Sequence, residues 1–185
     1  QAYLYAIKYE LSKMSAEDAA KYQQLESIVK VLATYLGIYD TDFCGDIPYT
    51  EAAQARYGGT LTPKYDAVKD LYDLFLSDLD DCIRIFTTAT NQYALTKQDV
   101  VYGGDMTKWA KLANSLKLKI AARLIHQDLP KAKTIVSQVK SASCGVMDGA
   151  ADDFLFNKCA NNTWNNDFAY QTGNGLPTIY ASNRM

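Results

Sequence analysis

The feature that most constrains this chain is a series of apolar stripes at three- and four-residue steps. Leu4, Ile7, Leu11 and Met14 form one stripe over Tyr3 to Met14. Tyr22, Leu25, Ile28, Val29, Leu32 and Leu36 form the next, with Gly37 as the expected stop. A third runs through Val68, Leu71, Phe75, Leu79, Cys82, Ile83 and Phe86. A fourth uses Trp109, Leu112, Ala113, Leu116, Ile120 and Leu124, and a short fifth uses Ala132, Ile135, Val136 and Val139. This spacing puts the apolar side chains of each segment on one face of an α-helix. No such helix can bury its stripe alone, so the helices must stack as antiparallel pairs. The expected fold is mainly α: tetratricopeptide-like stacked antiparallel helix pairs with an irregular C-terminal segment. A clean repeat of about 34 residues is not present.

The caps agree with the stripes. Ser15 is the expected N-cap of a short "SAED" capping box, with Asp18 reaching back. Asp66 is expected to cap the third helix and Asp105 the fourth. Asp128 starts the fifth, with Pro130 in its first turn. From Gly145 the helical period is lost, so residues 1–144 read as a helical scaffold and residues 145–185 as an irregular, aromatic- and Asn-rich segment of the same domain. "FLF" (Phe154 to Phe156) is a candidate short strand.

Charge and cysteine usage narrow the function. The net charge of −2 gives no basic surplus for nucleic acid. No apolar run approaches the roughly 20 residues of a membrane helix. The four cysteines, Cys44, Cys82, Cys144 and Cys159, form no C-x-x-C pair, and the single His126 cannot complete a zinc set, so no metal or cofactor is expected. Cys82 lies on an apolar helical face and is expected to be buried and free, while Cys144 and Cys159 are candidates for pairing. The chain opens on Gln1 within a helical pattern, as a processed or truncated chain would.

Four places offer candidate chemistry. Asn114 and Ser115 stand together in the fourth helix, but Ser115 lacks a G-x-S-x-G elbow. His126 lies about three helical turns away on the same helix, out of its reach. Asn114 is therefore expected to be a buried, hydrogen-bonded packing residue and His126 a helix-end residue. "YGGDMTKW" lacks the spacing of a phosphate loop and reads as a linker into the Asp105 cap. Asp78, Asp80 and Asp81 resemble the paired carboxylates of a glycosidase, yet Asp78 and Asp81 share a helix face expected to be solvated. The fourth place is "NNTWNNDFAYQTGN". Trp164, Phe168 and Tyr170 offer flat apolar faces for a sugar ring, and Asn165 and Asn166 offer amides for its hydroxyls. These five residues form the expected ligand site, set against the alternative that the rings only anchor the loop.

Three stretches together resemble the SusD/RagB family of outer-membrane glycan-binding lipoproteins of Bacteroidota. They are "YLGIYDTDFCGDIPYTEA", "TPKYDAVKDLYDLFLSDLDDCI" and "YGGDMTKWAKLANSLKLKIAARL", covering Leu36 to Leu124 in the family's order. The resemblance implies a non-enzymatic protein at the cell surface that binds an oligosaccharide or other nutrient. It implies a SusC-like TonB-dependent transporter as partner. It also implies a membrane attachment through a lipid anchor that this chain lacks, and that the chain is the N-terminal part of a longer protein. The alternative is a helical interaction scaffold whose ligand site lies in the missing C-terminal part. A hydrolase built on the carboxylate cluster is a distant third.

Overall fold

The computed structural model describes residues 1–155. Among them are six α-helices: α1 (Ala2–Leu11), α2 (Ala16–Ala20), α3 (Gln23–Cys44), α4 (Val68–Thr88), α5 (Met106–Leu124) and α6 (Leu129–Ser141). Helix α4 packs between α3 and α5, and α5 packs in turn on α6. Contacts along the pairs fix their directions. On α3 and α4, Ser27 meets Cys82, Lys30 meets Asp78, and Gly37 faces Phe75, so the two run antiparallel. On α3 and α5, Lys119 lies over the Tyr35 ring and Arg123 pairs with Asp42, so these two run in the same direction. Hence α4 opposes both of its neighbours. The fold is mainly helical and built of stacked antiparallel pairs, as the stripes require.

The core lies where the expected stripes converge. Leu71, Phe75, Leu79 and Cys82 of α4, Trp109, Ala113, Leu116 and Ile120 of α5, and Ala132, Ile135 and Val139 of α6 are all buried. Asp105 caps α5 by accepting from Thr107 N and Lys108 N, and Asp128 caps α6 by accepting from Lys131 N. Ser15 caps α2, accepting from Asp18 N at 3.1 Å. The Asp18 carboxylate takes the Ser15 hydroxyl rather than its backbone N–H.

Several expectations are corrected. Gly37 does not stop α3, which continues to Cys44. Its missing side chain is needed for packing instead. A Cβ there would sit 2.7 Å from the Tyr49 ring and 2.8 Å from Phe75. The buried face of α3 uses small and polar residues, Ser27, Ala33, Thr34 and Gly37, beside Val31 and Ile38, so Leu36 of the expected stripe is exposed. Asp66 does not cap α4, whose N-cap is Ala67. Its carboxylate accepts from Tyr49 N, Thr50 N and the Thr50 hydroxyl, and its backbone pairs with Ile47. The "GDIPYT" and "TPKYD" stretches are thereby tied together, and Asp46 supplies the acceptor for Val68 N. Met14 lies beyond the end of α1 and is exposed. Phe154 and Leu155 form no strand, and Phe156 lies outside the described residues.

Asn114 is fully buried. Its amide donates to Val139 O at 3.2 Å on α6 and to Gly145 O at 2.8 Å. Helix α5 thereby holds the end of α6 and the loop that follows it. Replacing Asn114 by Ala removes both hydrogen bonds, the one to Val139 O in the buried interior and the one to Gly145 O, and should destabilise the fold by about 1–3 kcal/mol. Equilibrium urea unfolding reads this directly, and an unchanged midpoint would refute it.

Candidate functional site

The ligand residues expected from the sequence, Trp164, Asn165, Asn166, Phe168 and Tyr170, lie outside the described residues. So does Cys159, and with it the pairing expected for Cys144. The described residues show how the chain is led up to that segment. The compact helical unit extends through Phe154. Ser115 is not a nucleophile in waiting: its hydroxyl donates to Lys111 O at 2.8 Å and accepts from Met147 N at 3.0 Å. Lys108 donates to Ala151 O, Tyr102 donates its hydroxyl to Asp152 O, and Lys111 pairs with Asp152, each at 2.8 Å. The Lys111 ammonium and the Asp148 N–H hold the Asp152 carboxyl below its ordinary pKa. Phe154 then packs against Tyr35, Tyr102 and Trp109. One side of α5, with Tyr102 of the loop before it, therefore fastens residues 145–154 by five separate polar contacts and an aromatic cluster.

Behind this fastening is an arrangement the motif reading missed. Trp109 is buried as expected, but its indole N–H donates to Asp99 at 2.7 Å. The same carboxylate accepts from Val101 N, Tyr102 N and Gly104 N at 2.9–3.1 Å. Gly103 and Gly104 adopt φ of 63° and 87°, the left-handed region that glycine enters without a Cβ clash. The two glycines of "YGGD" wrap the loop around a buried anion. The sequence signal was available: a lone Asp a few residues before a Gly-Gly pair and a Trp.

The carboxylate cluster on α4 also departs from expectation. Asp78 is not solvated. It pairs with Lys30 of α3 at 3.2 Å, and both side chains are largely shielded. Asp80 pairs with the buried Lys117 of α5, and Asp81 with Arg84 at 3.0 Å on the exposed side. Three carboxylates on three different cations are inter-helix and surface ties, and none is left facing another as a glycosidase pair would be. Cys82 is buried and free, with its thiol pushed up to about 12 chiefly by burial. His126 is exposed just past the end of α5. Among the described residues no group of His, Cys, Asp and Glu could hold a metal ion, and no helix is long and apolar enough to cross a membrane.

One groove of 590 Å³ opens in the helical unit. It lies between the C-terminal end of α3 (Thr41, Asp42), the start of α4 (Val68, Lys69, Tyr72) and the α5–α6 turn (Arg123, Leu124, Gln127, Asp128, Lys131). Arg123 holds both oxygens of Asp42, and its hydrogen bonds keep the Asp42 carboxyl below its ordinary pKa.

These features define a class: a non-repetitive, tetratricopeptide-like helical scaffold with residues 145–154 fastened along one helix. The chain belongs to the SusD-like family, whose description is "Starch-binding associating with outer membrane" and which matches residues 2–178. Solved structures agree. A SusD homolog from Bacteroides uniformis is 30% identical with a TM-score of 0.64, over 71% of this chain and 26% of that one. One from Parabacteroides distasonis shares the fold at a TM-score of 0.75 and 23% identity, over 91% of this chain and 32% of that one. A structure titled a chitin-binding protein is 26% identical with a TM-score of 0.66, over 82% of this chain and 30% of that one. The chain thus spans about a quarter to a third of the structures it resembles. No curated protein sequence matches it.

Proposed function

We propose that this chain is part of a non-enzymatic, cell-surface nutrient-binding protein, with glycans as its ligand class, that acts with a SusC-like TonB-dependent transporter in uptake. The match to the SusD-like family over residues 2–178 carries this reading. In it, residues 1–144 form the scaffold and residues 145–185 carry the ligand surface. Trp164, Phe168 and Tyr170 supply stacking faces, and Asn165 and Asn166 supply hydrogen bonds to sugar hydroxyls. The protein is held at the outer membrane by a lipid anchor.

The test is a fluorescence titration of the full chain with starch and chitin oligosaccharides. Stacking on one ring is worth about 1 kcal/mol by analogy with aromatic pairs, so Trp164→Ala should weaken binding roughly fivefold. Emission should change at Trp164 and not at the buried Trp109. Equal binding by wild type and variant would move the ligand surface away from Trp164. That outcome favours the second reading, a helical scaffold whose ligand site lies elsewhere, a reading supported by the modest share of its relatives that this chain covers.

A further inference from the structure

We propose that the shared outer face of α5 and α6 is a docking surface for a membrane that bears anionic phosphate headgroups. This rests on the outer-membrane location in the functional reading and adds a second contact to the lipid anchor. The distribution of charge points there first. Helix α5 holds five Lys and Arg residues, α6 holds three, and neither holds an Asp or Glu. The whole chain has a net charge of −2, and α4 alone carries five Asp. Four of the eight cations are spent on other elements: Lys111 on Asp152, Lys117 on Asp80, Arg123 on Asp42 and Lys131 on Asp73. Lys119 lies over the Tyr35 ring, and Lys108 donates to Ala151 O. Lys133 and Lys140 are exposed and have no ion pair among the described residues. The single carboxylate between the two helices, Asp128, accepts from Lys131 N at the start of α6.

The two free ammonium groups stand among aliphatic side chains. Leu129, Lys133, Val136 and Lys140 recur at three- and four-residue steps and so share one face of α6. Leu118, Ala122 and Ile125 do the same on α5 beside it. Between the two helices lies a groove of 300 Å³, with the buried Ala121 and Ala132 among its lining. Ile125, Leu129 and Val136 around it are 48%, 46% and 45% exposed. A purely apolar partner would bury both ammonium groups without a counter-charge, which is costly. A sugar would find no flat ring here to stack on. Aliphatic tips interleaved with free lysines suit a bilayer interface: the tips enter the acyl boundary while the lysine stems carry their charge out to the phosphates. Each lysine near an anionic surface is worth about fivefold in affinity. Such a face would hold an already tethered protein in one orientation on the membrane.

The experiment is co-sedimentation of the full chain with phosphatidylcholine vesicles, with and without phosphatidylglycerol, at low and at high ionic strength. The chain should bind the anionic vesicles and not the neutral ones, and added salt should release it. Lys133→Glu combined with Lys140→Glu should weaken this binding roughly 25-fold or more, at about fivefold for each charge lost. Lys133→Arg with Lys140→Arg should retain it. Ile125→Ser with Val136→Ser should weaken it several-fold by removing the aliphatic tips. All four positions are exposed, so the variants should keep the wild-type urea midpoint. Absent binding to anionic vesicles, equal binding to neutral ones, or equal binding by wild type and the double Glu variant overturns the proposal. So does an oligomer of the wild-type chain in sedimentation velocity that is lost in Ile125→Ser with Val136→Ser, because the face would then join copies of the chain. If starch or chitin oligosaccharides still bind, the functional reading stands and only the assignment of this face falls. If neither vesicles nor oligosaccharides bind, both fall.

Discussion

Asp99→Ala should destabilise the helical unit by about 3–5 kcal/mol, the largest effect of any single polar substitution here. One carboxylate accepts four hydrogen bonds, three from consecutive turns of the 99–104 loop and one from the Trp109 indole. Truncation leaves the Trp109 N–H unpaired in the core, where Trp109 is only 1% exposed. It also releases the loop that shapes the start of α5 and, through Tyr102, the fastening of residues 145–154. The pH dependence follows from the same contacts. Burial pushes the Asp99 carboxyl up, but the hydrogen bonds from Trp109 and the three backbone N–H groups outweigh it and leave the folded-state pKa below the ordinary value. A carboxylate depressed on folding adds stability that is fully present above its unfolded pKa. That stability is lost as pH falls through the lower, folded pKa. Wild type should therefore lose stability in acid more steeply than Asp99→Ala. Urea unfolding followed by tryptophan emission at neutral and acidic pH measures both. A variant within about 0.5 kcal/mol of wild type, the range of ordinary surface substitutions, would sink the assignment.

What the sequence made legible was set by local periodicity. The faces of α4, α5 and, apart from the exposed Val136, α6 were read correctly because each carries large apolar residues at helical steps, and α5 and α6 also carry an Asp cap that needs only its own first turn. The face of α3 was misread because its contact surface is made of Ser27, Thr34 and Gly37, small or polar residues that score as solvent-facing or as stops. Gly37 is buried because the Phe75 ring of α4 and the Tyr49 ring of the loop come close there, while Ser27 lies against Cys82 of α4. Both rings arrive from distant parts of the chain, so no local window contains the cause. Asp66 was read as a local cap, and Asp99 drew no reading at all, for the same reason. Each spends its oxygens on N–H groups gathered by the fold, and Asp66 reaches across to residues 49 and 50. The groove beside Lys69 was invisible for a further reason: its walls come from three separate stretches of sequence. The aromatic and Asn-rich stretch around Trp164 was legible as chemistry because composition alone marks it.

Gly37→Val should cost about 3 kcal/mol or more, and Gly37→Ala about 1–3 kcal/mol, although Gly to Ala within a helix ordinarily gains up to about 1 kcal/mol. The two expectations have opposite signs, so the experiment decides between propensity and packing. Gly37 lies well inside α3, where helix propensity alone favours any substitution by Ala. Its added Cβ would meet Tyr49 at 2.7 Å and Phe75 at 2.8 and 3.2 Å, inside the contact distance of real carbon atoms. The Phe75 ring has no room to retreat. Phe75 is fully buried, and Tyr49 meets it edge-on with centroids 4.9 Å apart. The Tyr49 backbone is pinned as well, because its N–H and that of Thr50 both donate to Asp66. Relief therefore requires α3 to move away from α4, which also strains the Lys30–Asp78 pair and the Cys82 contact to Ser27 further along the same interface. Valine adds two γ-carbons to a place that cannot take the first. Chemical denaturation of the two variants beside wild type gives the answer. If Gly37→Ala unfolds at higher denaturant than wild type, the close approach of these helices is not what holds glycine at this position.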